Sequence, residues 1–172
     1  MNYVTFLANF LWGLWAWFCF ALACAFSLLV VLIVPGAHQR QKLVTFIGKM
    51  IFVLAGVKVT MRGIDNLPTD SCVVVANHAS YVDGILLNAY LPARFGFVIK
   101  GEMRDIPIVH FLLRRSGSKF VERNEATGST RDARLLVKAA QGGESLGFFP
   151  EGTFLLEPGV GRFRPGAFVA AI

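Results

Sequence analysis

The sequence predicts an α/β fold in which an N-terminal membrane helix, or a helical hairpin, precedes an alternating α/β domain with a mostly parallel sheet. Three observations carry this expectation. The chain's 17 basic and 11 acidic residues all fall from Arg40 onward. Before them, residues 10–34 are almost purely apolar and exceed the roughly 20 residues that cross a bilayer. After Met61, short β-branched runs alternate with helical segments, each bounded by Gly, Pro or polar turns. A length of 172 residues suits one domain rather than two.

The elements follow in order. Trp12, Trp15 and Trp17 lie near one end of the first apolar run, where amphipathic rings favour a membrane interface. A secretory signal would need a basic start and an apolar core of about 7–15 residues, and this segment has neither. Val34-Pro35-Gly36 breaks the run, and His38-Gln39-Arg40-Gln41-Lys42 follows. Positive residues beside a membrane segment stay cytoplasmic, so the chain from Arg40 onward is expected on the cytoplasmic side of a bacterial membrane. Residues 43–59 are apolar but interrupted by Lys49 and Lys58, which fits an interfacial or re-entrant helix better than a second span. Residues 1–60 are thus read as the anchor, either one full span or a hairpin in one leaflet.

The later part, residues 61–172, alternates. Strands are expected at 72–76, 95–100, 119–122 and 145–150, and helices at 84–90, 106–115 and 129–141. Strands alternating with helices make the sheet largely parallel and gather chemistry in the loops beyond the strand ends. Residues 166–172 read as the start of a further apolar element, so the chain is expected to be truncated at its C-terminus. Cys19, Cys24 and Cys72 form no C-x-x-C or Cys/His cluster, which argues for packing residues rather than a zinc site or disulfide framework. The net charge of +6 is modest and adjoins the membrane segment, which suits anionic lipid and not nucleic acid.

The sharpest chemical feature is Asn77-His78-Ala79-Ser80-Tyr81-Val82-Asp83, directly after a buried strand. On one continuous helix His78 and Asp83 would point roughly 140° apart. They meet only if His78 lies in the turn and Asp83 in the first helical turn. There the carboxylate would hold one imidazole nitrogen and leave the other to accept a proton from an alcohol. Ser80-x-x-Asp83 is equally a helix-capping pattern, in which Asp83 closes the helix and His78 is an ordinary turn residue. Phe149-Pro150-Glu151-Gly152-Thr153 ends an apolar strand in a turn whose backbone can approach an anion, or it is simply an exposed turn. Arg123 follows the third strand and is either a solvated charge or a bidentate phosphate ligand.

Together these residues resemble the glycerolipid acyltransferases, in particular the 1-acylglycerol-3-phosphate acyltransferase branch. Asn77-His78 with Asp83 is similar to that family's His-x4-Asp motif, Lys100 and Arg123 keep the spacing of its second, and Phe149–Thr153 its third. The resemblance covers roughly residues 73–164. It implies an acyltransferase with His78 as general base, Asp83 as its orienting partner, and Asn77, Lys100, Arg123, Glu151, Gly152 and Thr153 around the substrates. The implied donor is acyl-CoA or acyl-carrier protein, the acceptor a lysophospholipid, and neither metal nor cofactor is needed. Three positions depart from the pattern: Met103 for Leu, His110 for Gly, and Phe154 where a cation is usual. Arg162 and Arg164 are the nearest substitutes for that cation, and His110 reads as packing. A CoA-independent transacylase, and a non-catalytic lipid-binding protein, are the alternative readings.

Overall fold

Residues 3–33 contain no proline and a single glycine, and they form one uninterrupted helix, α1 (Tyr3–Ile33). The computed structural model describes residues 2–122, 126–153 and 159–171, with side chains at all of these except 126–131. Pro35 ends α1, and because it has no N–H the Val31 carbonyl lacks its helical donor. A distant side chain supplies one. Arg115, at the end of α4 (Pro107–Arg115), places Nε and Nη2 at 3.1 and 2.9 Å from Val31 O.

After Gly36, at φ 85°, the chain turns back as α2 (Ala37–Leu54). Arg40 braces the turn, donating from Nη1 to Val34 O at 3.3 Å and from Nε to Arg115 O at 3.2 Å. At the far end, the Trp12 and Trp15 indoles donate to Ala55 O and Leu54 O at 2.8 and 2.7 Å. These bonds satisfy carbonyls that the end of α2 would leave orphaned. α1 and α2 therefore pack side by side as a helical hairpin. Among the described residues, α1 is the one helix long and apolar enough to cross a membrane. Large apolar side chains along it, from Phe6 through Trp17 to Ile33, are exposed.

The remaining elements alternate as expected: β1 (Val73–Val75), α3 (Tyr81–Tyr90), β2 (Phe95–Lys100), α4, β3 (Lys119–Val121), α5 (Ala126–Gln141), β4 (Ser145–Phe148) and α6 (Gly166–Ala170). All pairings are parallel, in the order β1-β4-β2-β3. Alternation along the strands builds two apolar layers. Phe95, Phe97 and Ile99 pack with Val74, Leu87 and Leu91 on the α3 face. Val98, Leu146 and Phe148 pack with Leu136, Ala167 and Ala170 on the α5 and α6 face. Gly147 is needed at the centre, since a Cβ there would lie 2.7 Å from the Phe97 ring.

Two helices begin earlier than the apolar periodicity indicated. α3 starts at Tyr81, not 84, because Ser80 caps it, and α5 starts at Ala126, not 129. His110 packs edge-on against Phe120, centroids 5.0 Å apart, in keeping with its reading as a packing residue.

Candidate active site

The sheet's C-terminal edge gathers the residues that carry chemistry. β1 ends at Val75, yet Ala76 N–H still donates to Phe148 O at 3.0 Å, so the turn begins from a fixed point beside β4. Asn77, His78 and Ala79 form that turn, and Ser80 opens α3 with its Oγ accepting from Val82 N–H at 3.0 Å. His78 thus lies two residues before the cap and Asp83 in the first helical turn.

The two readings of Asp83 turn out to be one arrangement. Its Oδ2 accepts from Ala79 N–H and Ser80 N–H, each at 2.7 Å, and lies 3.3 Å from His78 Nδ1. The carboxylate closes the helix and faces the imidazole with the same oxygen. Partial burial pushes its pKa up, but the bonds from Ser80 and Ala79, with the bond and charge of His78, outweigh this and hold it below the usual carboxylate range. It is therefore an anion at neutral pH. In the tautomer that donates Nδ1–H to Asp83, the imidazole carries its lone pair on Nε2, the nitrogen a general base uses. Phe149 stacks on the ring, centroids 4.1 Å apart and planes 20° apart, and so restricts its rotation.

Glu151 is buried in the turn that follows β4, three residues past its end. Its Oε1 accepts from His78 N–H at 2.9 Å and its Oε2 from Gly161 N–H at 2.8 Å. These two backbone bonds, His78 first, hold its pKa below the ordinary value. Gly152, at φ 77°, turns the chain away, which a side chain there would oppose. Arg164 N–H donates to Pro150 O at 2.8 Å, which brings the exposed Arg162 and Arg164 alongside this turn.

The other expected site residues are placed less tightly. Asn77 and Thr153 are exposed beside the pair. Lys100 sits at the exit of β2, where its ammonium pairs with Glu102 at 3.5 Å. Arg123 and Phe154 lie outside the described residues. Next to Phe149 and Pro150, on the α5 and α6 face, is a cavity of about 280 Å³ with Val98, Val121, Leu136 and Phe148 in its lining. Sequence reasoning missed two contributors. Phe149 lies within the third motif, and an aromatic beside a strand-end turn is the signal that points to it. Gly161 carried none, because its part is played by a backbone N–H.

Residues 58–172 match the family model described as Acyltransferase. The chain is 29% identical to a chloroplast 1-acyl-sn-glycerol-3-phosphate acyltransferase of Brassica napus, over 89% of this chain and 48% of that protein. It is also 29% identical to lysophosphatidylcholine acyltransferase 1 of Mus musculus, over 92% of this chain and 32% of that one. The chain spans about half the length, or less, of these curated relatives. The crystal structure of the 1-acyl-sn-glycerophosphate acyltransferase PlsC from Thermotoga maritima superposes with a TM-score of 0.72 at 26% identity, covering 96% of this chain and 69% of that one.

Proposed function

This chain belongs to the acyltransferase family, and on that premise we propose that it moves a fatty acyl group from a thioester to the free hydroxyl of a lysophospholipid. The donor in this reading is acyl-CoA or acyl-carrier protein, and the first acceptor to test is 1-acylglycerol 3-phosphate. One observation carries the proposal: a His–Asp pair at 3.3 Å, fixed where a parallel strand gives way to a helix. That is the constellation an alcohol nucleophile requires, because its own proton is too tightly held at neutral pH.

In the reaction the acceptor's hydroxyl oxygen attacks the thioester carbonyl carbon while His78 Nε2 takes its proton. Asp83 stabilises the imidazolium so formed. Collapse of the tetrahedral intermediate makes the new ester, breaks the C–S bond, and returns the proton from His78 to the departing thiolate. No enzyme nucleophile enters, since the thioester is already activated. The cavity beside Phe149 offers an apolar lining for part of a fatty chain. Arg123, Lys100, Arg162 and Arg164 are the cations proposed for an anionic head group, with Asn77, Gly152 and Thr153 shaping the same mouth.

Residues 1–60 are proposed as the anchor, with α1 in the membrane of a bacterial cell and the sheet's edge facing the cytoplasm. At 1.5 Å per residue, the 31 residues of α1 extend about 46 Å, more than a hydrocarbon core of roughly 30 Å.

The relatives act on different head groups by name, so the deciding experiment is a panel. Purified membranes receive labelled acyl-CoA with lysophosphatidic acid, lysophosphatidylcholine and a zwitterionic lysolipid lacking phosphate. The reading expects lysophosphatidic acid to be acylated fastest, and His78→Ala to lower that rate by about 100-fold or more. Preference for a zwitterionic acceptor would overturn the acceptor assignment, and an active His78→Ala the mechanism.

A further inference from the structure

We propose that Glu151 is a positioning residue that fixes the backbone of the catalytic turn and of the 159–161 segment, and that it does not bind substrate. The inference rests on the acyl-transfer reading above and departs from the substrate-binding role that the motif resemblance implies for this carboxylate.

The geometry of the carboxylate leaves it little room for a ligand. Each oxygen already accepts a backbone N–H, His78 on one side and Gly161 on the other, at 2.9 and 2.8 Å. Only 7% of the residue is exposed. A group so placed presents little surface to a phosphate, and its negative charge would repel one. What it can do is tie three pieces of chain together at the level of the base, beyond the Ala76–Phe148 and Arg164–Pro150 backbone bonds that already bring them near one another. The first is the turn after β1, the second the turn after β4 in which Glu151 itself lies, and the third the segment leading to Arg162 and Arg164. Because Glu151 stays ionised, both bonds are charge-assisted and stronger than neutral ones.

The consequence for the site is specific. The His78 ring is held by Asp83 at Nδ1 and by Phe149 across its face. Neither contact fixes the His78 backbone, from which the ring hangs. Glu151 does this by accepting the His78 N–H, and with its other oxygen it draws Gly161 towards the base. Loss of Glu151 should therefore misplace the base relative to its substrate while leaving head-group affinity largely intact.

Glu151→Gln is the informative change, because it keeps the shape but replaces one acceptor with a donor. Whichever way the amide faces, its NH2 meets either His78 N–H or Gly161 N–H, donor against donor. Hydrogen–deuterium exchange of the full-length protein, read by mass spectrometry, should show peptides spanning 76–80 or 159–163 exchanging about tenfold faster or more. Peptides of β2 should keep their protection, which shows that the domain still folds. In the acyl-transfer assay, kcat should fall about ten- to a hundredfold while KM for the lysolipid changes less than about threefold. Glu151→Asp, a methylene shorter, should speed exchange at one of the two segments only.

A rise in acceptor KM with kcat and exchange unchanged would overturn the proposal and return Glu151 to the substrate. Unchanged exchange at both segments with a folded β2 would overturn it whatever the kinetics. If the unmodified protein acylates none of the lysolipids, the acyl-transfer reading fails instead, and exchange alone still decides whether Glu151 positions the two segments.

Discussion

Asp83→Asn separates the two duties that one oxygen performs. The asparagine carbonyl can go on accepting from Ala79 and Ser80 N–H, so most of the helix cap survives. What is lost is the negative charge facing His78 Nδ1. The cap is worth about 1 kcal/mol when removed entirely, and a retained acceptor should leave only a fraction of that loss. For a chain of this size that corresponds to a fall in Tm of no more than about 2–4 °C. The catalytic effect should be much larger. Without the carboxylate the imidazole loses both its preferred tautomer and the anion that stabilises its protonated form, and kcat should drop at least about 100-fold. The assay is transfer from labelled acyl-CoA to lysophosphatidic acid in vesicles, run beside thermal unfolding of the same preparations. Asp83→Ala supplies the contrast, with similar catalytic loss but the full cap penalty. If Asp83→Asn retained more than about a tenth of normal turnover, Asp83 would be a cap and nothing more.

Three further outcomes follow from the geometry. Arg115→Ala leaves Val31 O without the donors that Pro35 cannot supply, and Val31 is fully buried. Unfolding in detergent should show about 1–3 kcal/mol of destabilisation, and proteolysis should open the hairpin before the sheet. Arg115→Lys, with one centre of donors, should recover part of this, and an unchanged proteolytic pattern would deny the latch. Gly147→Ala drives a methyl into the Phe97 ring and should cost about 1–3 kcal/mol, partly restored by Phe97→Leu in the double variant. For pH, Asp83 and Glu151 are both held below the ordinary carboxylate range. Their stabilisation is complete above the unfolded value of about 4 and is lost as pH falls through the lower folded values. Tm should therefore be insensitive to these groups above about pH 5 and fall steeply below about 4, less so in Glu151→Gln.

Much of this was legible in the sequence because the signals were local. The Val73–Val75 run, the Phe95–Lys100 run and the glycine and proline punctuation around them placed the strands to within two residues, and the alternation indicated that they run parallel, though not their order β1-β4-β2-β3. His78 and Asp83 were legible as a pair because turn-plus-first-turn is the one placement that lets five residues bring them together. Apart from the helix starts at Tyr81 and Ala126 and the stacking of Phe149, the missing parts were long-range. Nothing near Pro35 says that its missing donor is Arg115, 80 residues later, and nothing near Arg40 says that a juxtamembrane cation also braces a helix end. Trp12 and Trp15 carried an interfacial signal true of tryptophan in general, while their bonds to Ala55 and Leu54 depend on how the hairpin closes. Glu151 was legible from its motif, but its bonds from His78 and Gly161 were not, since backbone amides leave no mark in a sequence.

The spacing of the pair also answers an electrostatic difficulty. The N-terminus of α3 carries roughly half a positive charge. A histidine beside it that accepts a proton adds a second positive charge, and the two would oppose the transfer. Asp83 stands between them. Through Ala79 and Ser80 N–H it neutralises the helix end, and through Nδ1 it offsets the imidazolium. This requires the third helical position, from which a short side chain folds back over the cap to the residue two before it. One residue earlier or later the carboxylate rotates about 100° around the helix and reaches neither group. Capping the helix and facing His78 are therefore not competing uses of Asp83. The cap is what orients the carboxylate, and in the proposed reaction the carboxylate is what lets a helix N-terminus serve a base.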